Sequence, residues 1–338
     1  MPRKVPRAII SGTAPHCPTA FSPVTSPLRT AVIGVGYLGR FHAQKYADLG
    51  DSELVGVVDT DSERLAAACE ELDVPGFTDY HEILGQVDAV SIVVPTAKHY
   101  EITRACLEAD CHVLVEKPFT SSVEEATELI DLARQRQRIV QVGLLERFNS
   151  AFCALMQGLE TPRFIEVHRL APWTPRGAEI DVTLDLMIHD IDLALTVVGE
   201  DPHEIRASGA AVIGDTLDIA NARLEFPGGC VANVTASRLS RRSERRMRVF
   251  QHHSCYALDL HKRELDRYRL REGDAQPSER IEHTTEAFQE TDSLREEIHH
   301  FIDCIRQGTE PMVRGEDGLR ALRTALEVTR RMRETDAS

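Results

Sequence analysis

Leu28-Arg29-Thr30-Ala31-Val32-Ile33-Gly34-Val35-Gly36-Tyr37-Leu38-Gly39 decides how this chain folds. A short apolar, β-branched run ends in glycine and passes directly into a helical pattern from Tyr37 to about Leu49. G-x-G-x-x-G therefore lies between a strand and a helix, the setting in which the motif cradles a dinucleotide pyrophosphate. Gly34 allows the tight turn, Gly36 lets backbone approach the phosphates, and Gly39 lets the helix pack close to the strand. The backbone N–H groups at the helix start, around Tyr37 and Leu38, and the helix dipole hold the anion. A second strand, Glu53 to Asp59 (ELVGVVD), ends on a carboxylate 25 residues after Gly34. Asp59 is placed to accept hydrogen bonds from the adenine ribose hydroxyls, and its charge repels a 2′-phosphate, so NAD is expected over NADP.

The same alternation continues to about residue 145. Asp88–Val94, Cys111–Val115 and Ile139–Val142 are further apolar runs, separated by helical stretches near 61–72, 97–109 and 121–136. Such alternation predicts βαβ units in a doubly wound parallel sheet. Beyond it the pattern changes. Strand-like segments at 163–169, 203–213, 217–226, 229–237, 245–251 and 254–260 surround an apolar helix at about 183–198. Pro227-Gly228-Gly229 marks a hairpin, and helices near 290–307 and 316–334 close the chain. The expected class is α/β: a Rossmann doubly wound parallel sheet over 29–145, then an α+β domain with an open antiparallel sheet over 146–335. The last helices are candidates for packing back on the first domain.

Composition bounds the partners. The chain has 338 residues, 39 Lys plus Arg against 54 Asp plus Glu, and a formal net charge of -15. That balance argues against nucleic acid and anionic membrane surfaces, which need a basic face. No run of 18 apolar residues offers a membrane span. Eight scattered cysteines without a Cys-x-x-Cys pair read as reduced thiols of a cytoplasmic protein. Residues 1–28 hold six prolines, three basic residues and no acidic one, and are expected to be a disordered tail.

Two further segments carry chemistry. Glu116-Lys117-Pro118 ends a strand of the parallel sheet, where ligands of open α/β sheets bind, so Lys117 points toward the nicotinamide crevice. The apolar helix contains Leu184-Asp185-Leu186-Met187-Ile188-His189-Asp190-Ile191-Asp192. Helical spacing puts Asp185, His189 and Asp192 on one face, with Asp190 pointing elsewhere. Buried polar groups on an apolar helix need partners. The spacing is not that of a zinc site, and no metal is expected.

Taken together, G-x-G-x-x-G with Asp59, the V-P-T at 94–96, Glu116-Lys117-Pro118 and Asp185-x-x-x-His189-Asp190 resemble the Gfo/Idh/MocA oxidoreductases over residues 29–335. The resemblance implies an active site between the two domains with Lys117, Asp185 and His189 as the catalytic set. It also implies cofactor contacts from Pro95, Thr96, His99 and Glu116. Within the family, Leu145-Glu146-Arg147-Phe148-Asn149, Glu166-Val167-His168-Arg169-Leu170 and LDLMIHDID look similar to the UDP-N-acetylglucosamine 3-dehydrogenases. Those enzymes make the 3-keto sugar that a partner aminotransferase converts to a 3-amino sugar for lipid A. The similarity implies a nucleotide-sugar substrate, for which Arg147, Asn149 and Arg169 are candidate contacts beside Lys117, Asp185 and His189. A free polyol such as an inositol is the alternative substrate, and a non-catalytic sensor of NAD and sugar nucleotide the alternative class. Arg238, Arg241, Arg242, Arg245, Arg246 and Arg248 form a basic cluster that reads either as a phosphate contact or as a solvated sheet face or subunit contact. A homo-oligomer is expected, because open antiparallel sheets commonly pair.

Overall fold

A computed structural model describes residues 26–336 apart from 176, 178, 290 and 291. The tail expected over 1–28 therefore lies outside the described residues as far as residue 25, and Leu28 already opens the first strand.

The first sheet is parallel, with order β3-β2-β1-β4-β5-β6. Its strands are β1 (Leu28–Ile33), β2 (Ser52–Val58), β3 (Gly76–Phe77), β4 (Ala89–Ile92), β5 (His112–Glu116) and β6 (Val140–Gly143). Helices α1 (Tyr37–Asp48), α2 (Ser62–Leu72), α3 (His99–Glu108) and α4 (Val123–Arg136) connect them. Every residue of β4 and β6 is buried, as expected for strands covered on both faces. Side-chain caps fix two helix starts: Asp61 accepts from Glu63 and Arg64 N–H, and Ser122 from Glu125 N–H. The strand order reverses at β1, so the carboxyl ends of β1, β4 and β5 border one crevice.

The second sheet has eight strands in the order β14-β13-β12-β11-β7-β10-β9-β8. After α5 (Ser150–Gly158) come β7 (Pro162–Leu170), a π-helical turn at Thr183–Met187 that runs into α6 (Ile188–Val198), β8 (Glu204–Ala210), β9 (Ile219–Glu225) and β10 (Val231–Ser237). Next are β11 (Glu244–Gln251), β12 (Ser254–Asp259), β13 (Glu264–Leu270), α7 (Pro277–Arg280) and β14 (Ile281–Ala287). The last two helices are α8 (Ser293–Gln307) and α9 (Gly315–Asp336). All pairs are antiparallel except β7 with β10, which the long crossover through α6, β8 and β9 allows to run parallel.

One face of this sheet makes the core. Ile165, Val167, Ala220, Ala222, Leu224, Ala232, Val234 and Ala236 alternate inward and pack with Ile191, Ala194 and Leu195 of α6. Helix α8 returns to the first sheet. Its Ile298, Phe301, Ile302 and Ile305 share a cluster with Val32, Tyr46 and Val57. Among the described residues no helix is long and apolar enough to cross a membrane, and none of the seven described cysteines is paired.

Candidate active site

The glycine turn has the geometry its sequence requires. Gly34 has φ +92°, and a Cβ there would lie 2.3 Å from the Val93 carbonyl oxygen. A Cβ on Gly39 would lie 1.8 Å from the Gly34 oxygen, whereas one on Gly36 would meet nothing within 4 Å. The tight packing is at Gly34 and Gly39, and the open space is at Gly36, where a pyrophosphate needs it. Helix α1 starts with no side-chain cap and no acidic residue in its first turn, so its orphan N–H groups are available to an anion. These features fit a dinucleotide. Asp59 follows β2 with its carboxylate almost buried. It accepts from Val35 N–H at 2.9 Å, Asp61 N–H at 2.9 Å and Arg64 Nη2 at 3.2 Å, which ties the glycine turn to the end of β2.

The β4 and β5 ends are joined through His99. Its Nδ1 faces the Pro118 carbonyl at 2.8 Å and its Nε2 the Val94 carbonyl at 2.9 Å. Burial lowers its pKa, and the ring packs between the two loops with the nitrogen that carries the proton donating to its carbonyl. Pro95 and Thr96 start the turn that leads into α3. The expected cofactor contact at His99 is thereby corrected to a positioning role, because the ring is buried and both of its nitrogens face backbone carbonyls. Glu116 stands behind Lys117. Its Oε1 is 3.2 Å from His42 Nε2, its Oε2 is 3.3 Å from Lys117 N, and Gly143 leaves it room, since a Cβ there would lie 2.8 Å from Oε1.

Lys117 meets the second domain directly. Its Nζ donates to the Asp185 carbonyl at 2.5 Å and lies 3.4 Å from Asp185 Oδ1. Asp185 occupies the π-helical turn at 183–187, an insertion of the kind found at functional sites. Gly177, at φ +81°, packs on its carboxylate, where a Cβ would lie 2.7 Å from Oδ2. One turn further, His189 Nδ1 is buried without a hydrogen-bond partner among the described residues. Burial, and then the charges of Lys117, Arg169 and Arg245, push its pKa well below the ordinary histidine value, so the imidazole is neutral. The site thus joins a cation, a carboxylate and a neutral base at the edge of the cofactor crevice.

Three expected substrate contacts find other partners. Arg147 donates to Asp192 at 2.8 and 2.5 Å and to the Met312 carbonyl at 3.1 Å. Arg169 grips Asp190 through two bonds of 2.8 Å and Glu146 at 2.9 Å. Both guanidinium groups are buried and bidentate on carboxylates, so they bind the domain together and have no free face for a diphosphate. Asn149 caps α5 through Ala151 N–H and donates to the Leu260 carbonyl. Asp192, expected on one stripe with Asp185 and His189, is buried with its carboxylate claimed by Arg147. His42, Gly143 and Gly177 enter the site with no local signal that could have marked them, whereas Arg245 belongs to the basic cluster that the sequence singles out.

The comparisons with known proteins agree with this fold. The profile of the oxidoreductase family, NAD-binding Rossmann fold, matches residues 28–144, and that of the GFO/IDH/MocA C-terminal domain matches 160–253. The chain is 40% identical over 302 residues to UDP-N-acetylglucosamine 3-dehydrogenase of Acidithiobacillus ferrooxidans, spanning 89% of this chain and 96% of the relative. A solved structure of that enzyme superimposes with a TM-score of 0.86, covering 90% of this chain and 97% of that one. Myo-inositol 2-dehydrogenase of Thermotoga maritima is 28% identical over 314 residues, 87% of this chain and 93% of the relative. Levoglucosan dehydrogenase in complex with NADH and levoglucosan shares the fold at a TM-score of 0.82 and 18% identity, over 91% of this chain and 98% of that one.

Fold and site define a nicotinamide-dependent oxidoreductase. The chain belongs to the Gfo/Idh/MocA family and carries its NAD-binding Rossmann domain.

Proposed function

We propose that this enzyme oxidises the 3-hydroxyl of UDP-N-acetylglucosamine to the 3-keto sugar nucleotide. The observation that carries the reading is the 40% identity to an enzyme of that activity across 96% of its length. Bound NAD, held by the turn at Gly34, Gly36 and Gly39 and by Asp59, supplies the two-electron acceptor. Neutral His189 takes the hydroxyl proton, a role that needs an unprotonated imidazole. Lys117 donates to the reacting oxygen and stabilises its developing negative charge. Asp185, bonded to Lys117, holds the ammonium in place and orients the sugar. Residues 29–145 form the cofactor domain and 146–335 the substrate and oligomerisation domain. The protein works in the cytoplasm as a homo-oligomer, and its ketone is consumed by an aminotransferase on the route to lipid A.

The test is turnover of UDP-N-acetylglucosamine with NAD against NADP, with the ketone trapped by glutamate and a matching aminotransferase. Trapping matters because alcohol oxidation by NAD is uphill. We expect trap-dependent NADH formation with NAD preferred. Turnover of inositols in place of the nucleotide sugar would sink the substrate assignment, and NAD binding without turnover of either would sink the enzyme reading.

A further inference from the structure

The turn between β10 and β11 carries arginines that the chemistry above leaves unused: Arg238-Leu239-Ser240-Arg241-Arg242-Ser243-Glu244-Arg245. Arg238 belongs to the framework. It is buried and donates to Asp218 Oδ1, to the carbonyls of Gly177, Ile180 and Leu217 and to Thr216 Oγ1, at 2.7 to 3.0 Å. Arg246 and Arg248 face the other side of the sheet, where Arg248 pairs with Glu166 at 3.2 Å. Arg241 and Arg242 are exposed, and neither guanidinium has a partner among the described residues.

The turn is mounted on the site at both ends. At one end, Ser240 N–H donates to the Ala171 carbonyl at 3.1 Å, and Arg238 holds Gly177, the residue packed on Asp185. At the other end, Arg245 stands opposite Arg169 in the β11–β7 register, on the inner side of the sheet. Its guanidinium lies 3.2 Å from Glu146, and its charge reaches His189. Beside it opens a cavity of about 490 Å³ whose wall includes Arg245, His261 and Arg263 together with Glu146 and Asp292. The turn thus leads from the loop over Asp185 to the neighbourhood of His189. On a chain of net charge -15, residues 241–245 hold three arginines against one glutamate, a local excess of positive charge.

We propose that Arg241, Arg242 and Arg245 form the anion site that holds the diphosphate of the substrate. The inference rests on the nucleotide-sugar reading and assigns the cationic contact that Arg147 and Arg169 cannot make. Guanidinium suits the task because it meets phosphate oxygens through paired N–H groups. Glu146 keeps its bond to Arg169, so Arg245 can turn to the ligand without leaving a buried carboxylate unpaired. A diphosphate bound there also offsets the positive field around His189 and makes the imidazole a stronger base when substrate is present.

The experiment compares the wild type with the double variant Arg241→Gln/Arg242→Gln and with Arg245→Gln. The readouts are calorimetric affinities for UDP, for inorganic pyrophosphate and for NAD, and KM for UDP-N-acetylglucosamine. We expect the double variant to weaken UDP and pyrophosphate and to raise KM about tenfold or more, with NAD affinity and melting temperature unchanged. We also expect UDP affinity of the wild type to fall more steeply with salt than that of the variant. Unchanged UDP affinity in both variants overturns the proposal, as does a variant whose oligomeric state changes while UDP affinity does not. If pyrophosphate binds and responds to the variants but UDP-N-acetylglucosamine is not turned over, the anion site stands and the substrate reading fails. If the wild type binds neither UDP nor pyrophosphate, the anion site itself is overturned.

Discussion

His189 is held neutral by its surroundings, and this fixes a sign. Its pKa lies below the ordinary value of about 6.5, so in the free enzyme it stays unprotonated as the pH falls through that value. The acidic limb of kcat/KM is therefore expected below pH 6.5, and His189→Gln should remove that limb while cutting kcat by about 10²- to 10⁴-fold, the usual contribution of a positioned base. A limb that persists in the variant would transfer the base role to Lys117. Lys117 was singled out by its strand-end position, and the resemblance to the Gfo/Idh/MocA oxidoreductases added Asp185 and His189 as candidates. That Asp185 grips the Lys117 ammonium through its own carbonyl was not legible, because the contact joins residues 68 positions apart.

At the level of elements, the apolar helix α6 is fixed by two buried arginine clamps. Arg169, from β7, holds Asp190 and also Glu146, and Arg147 holds Asp192. Burial raises the carboxyl pKa of Asp190 despite Arg169, which shows how unfavourable that site would be for an unpaired charge. Arg169→Met leaves Asp190 without its cation and Glu146 with Arg245 alone, and should cost about 3–5 kcal/mol in urea denaturation, with loss of activity following from the misplaced His189. A variant as stable as the wild type would show that the clamp is dispensable. The parallel strands and α6 could be read from apolar runs of the right length. Strands β13 and β14 could not. Leu265 is the one buried side chain of β13, and every residue of β14 is exposed, so neither offers the alternation that marks a half-buried strand. Helix α5, starting at the Asn149 cap, could not be read because its run is short and mostly apolar.

On the scale of the whole molecule, helix α8 brings a buried carboxyl under the cofactor domain. Both oxygens of Glu297 lack a hydrogen-bond partner among the described residues, and Gln141, which donates to its backbone carbonyl, has an unpartnered Oε1. Burial, and then the charge of Glu116, raise the Glu297 pKa well above the ordinary carboxyl value, so the folded protein holds a proton that the unfolded chain releases above about pH 4.3. Stability should therefore decline as the pH rises above that point toward the folded pKa. Glu297→Gln, neutral at all pH values, should flatten this slope and melt higher than the wild type at pH 8, with the two converging near pH 4. Parallel melting curves from pH 5 to 9 would refute the buried proton. The sequence by itself determined the nucleotide fold and the position of its phosphate cradle, because strand–glycine–helix order is a local property, and it put forward Lys117, Asp185 and His189 as candidates. Only the tertiary structure decided which arginines are free for substrate, because a guanidinium's availability depends on the carboxylates that folding brings to it: Arg147 and Arg169 meet theirs in the core, while Arg241 and Arg242 meet none among the described residues.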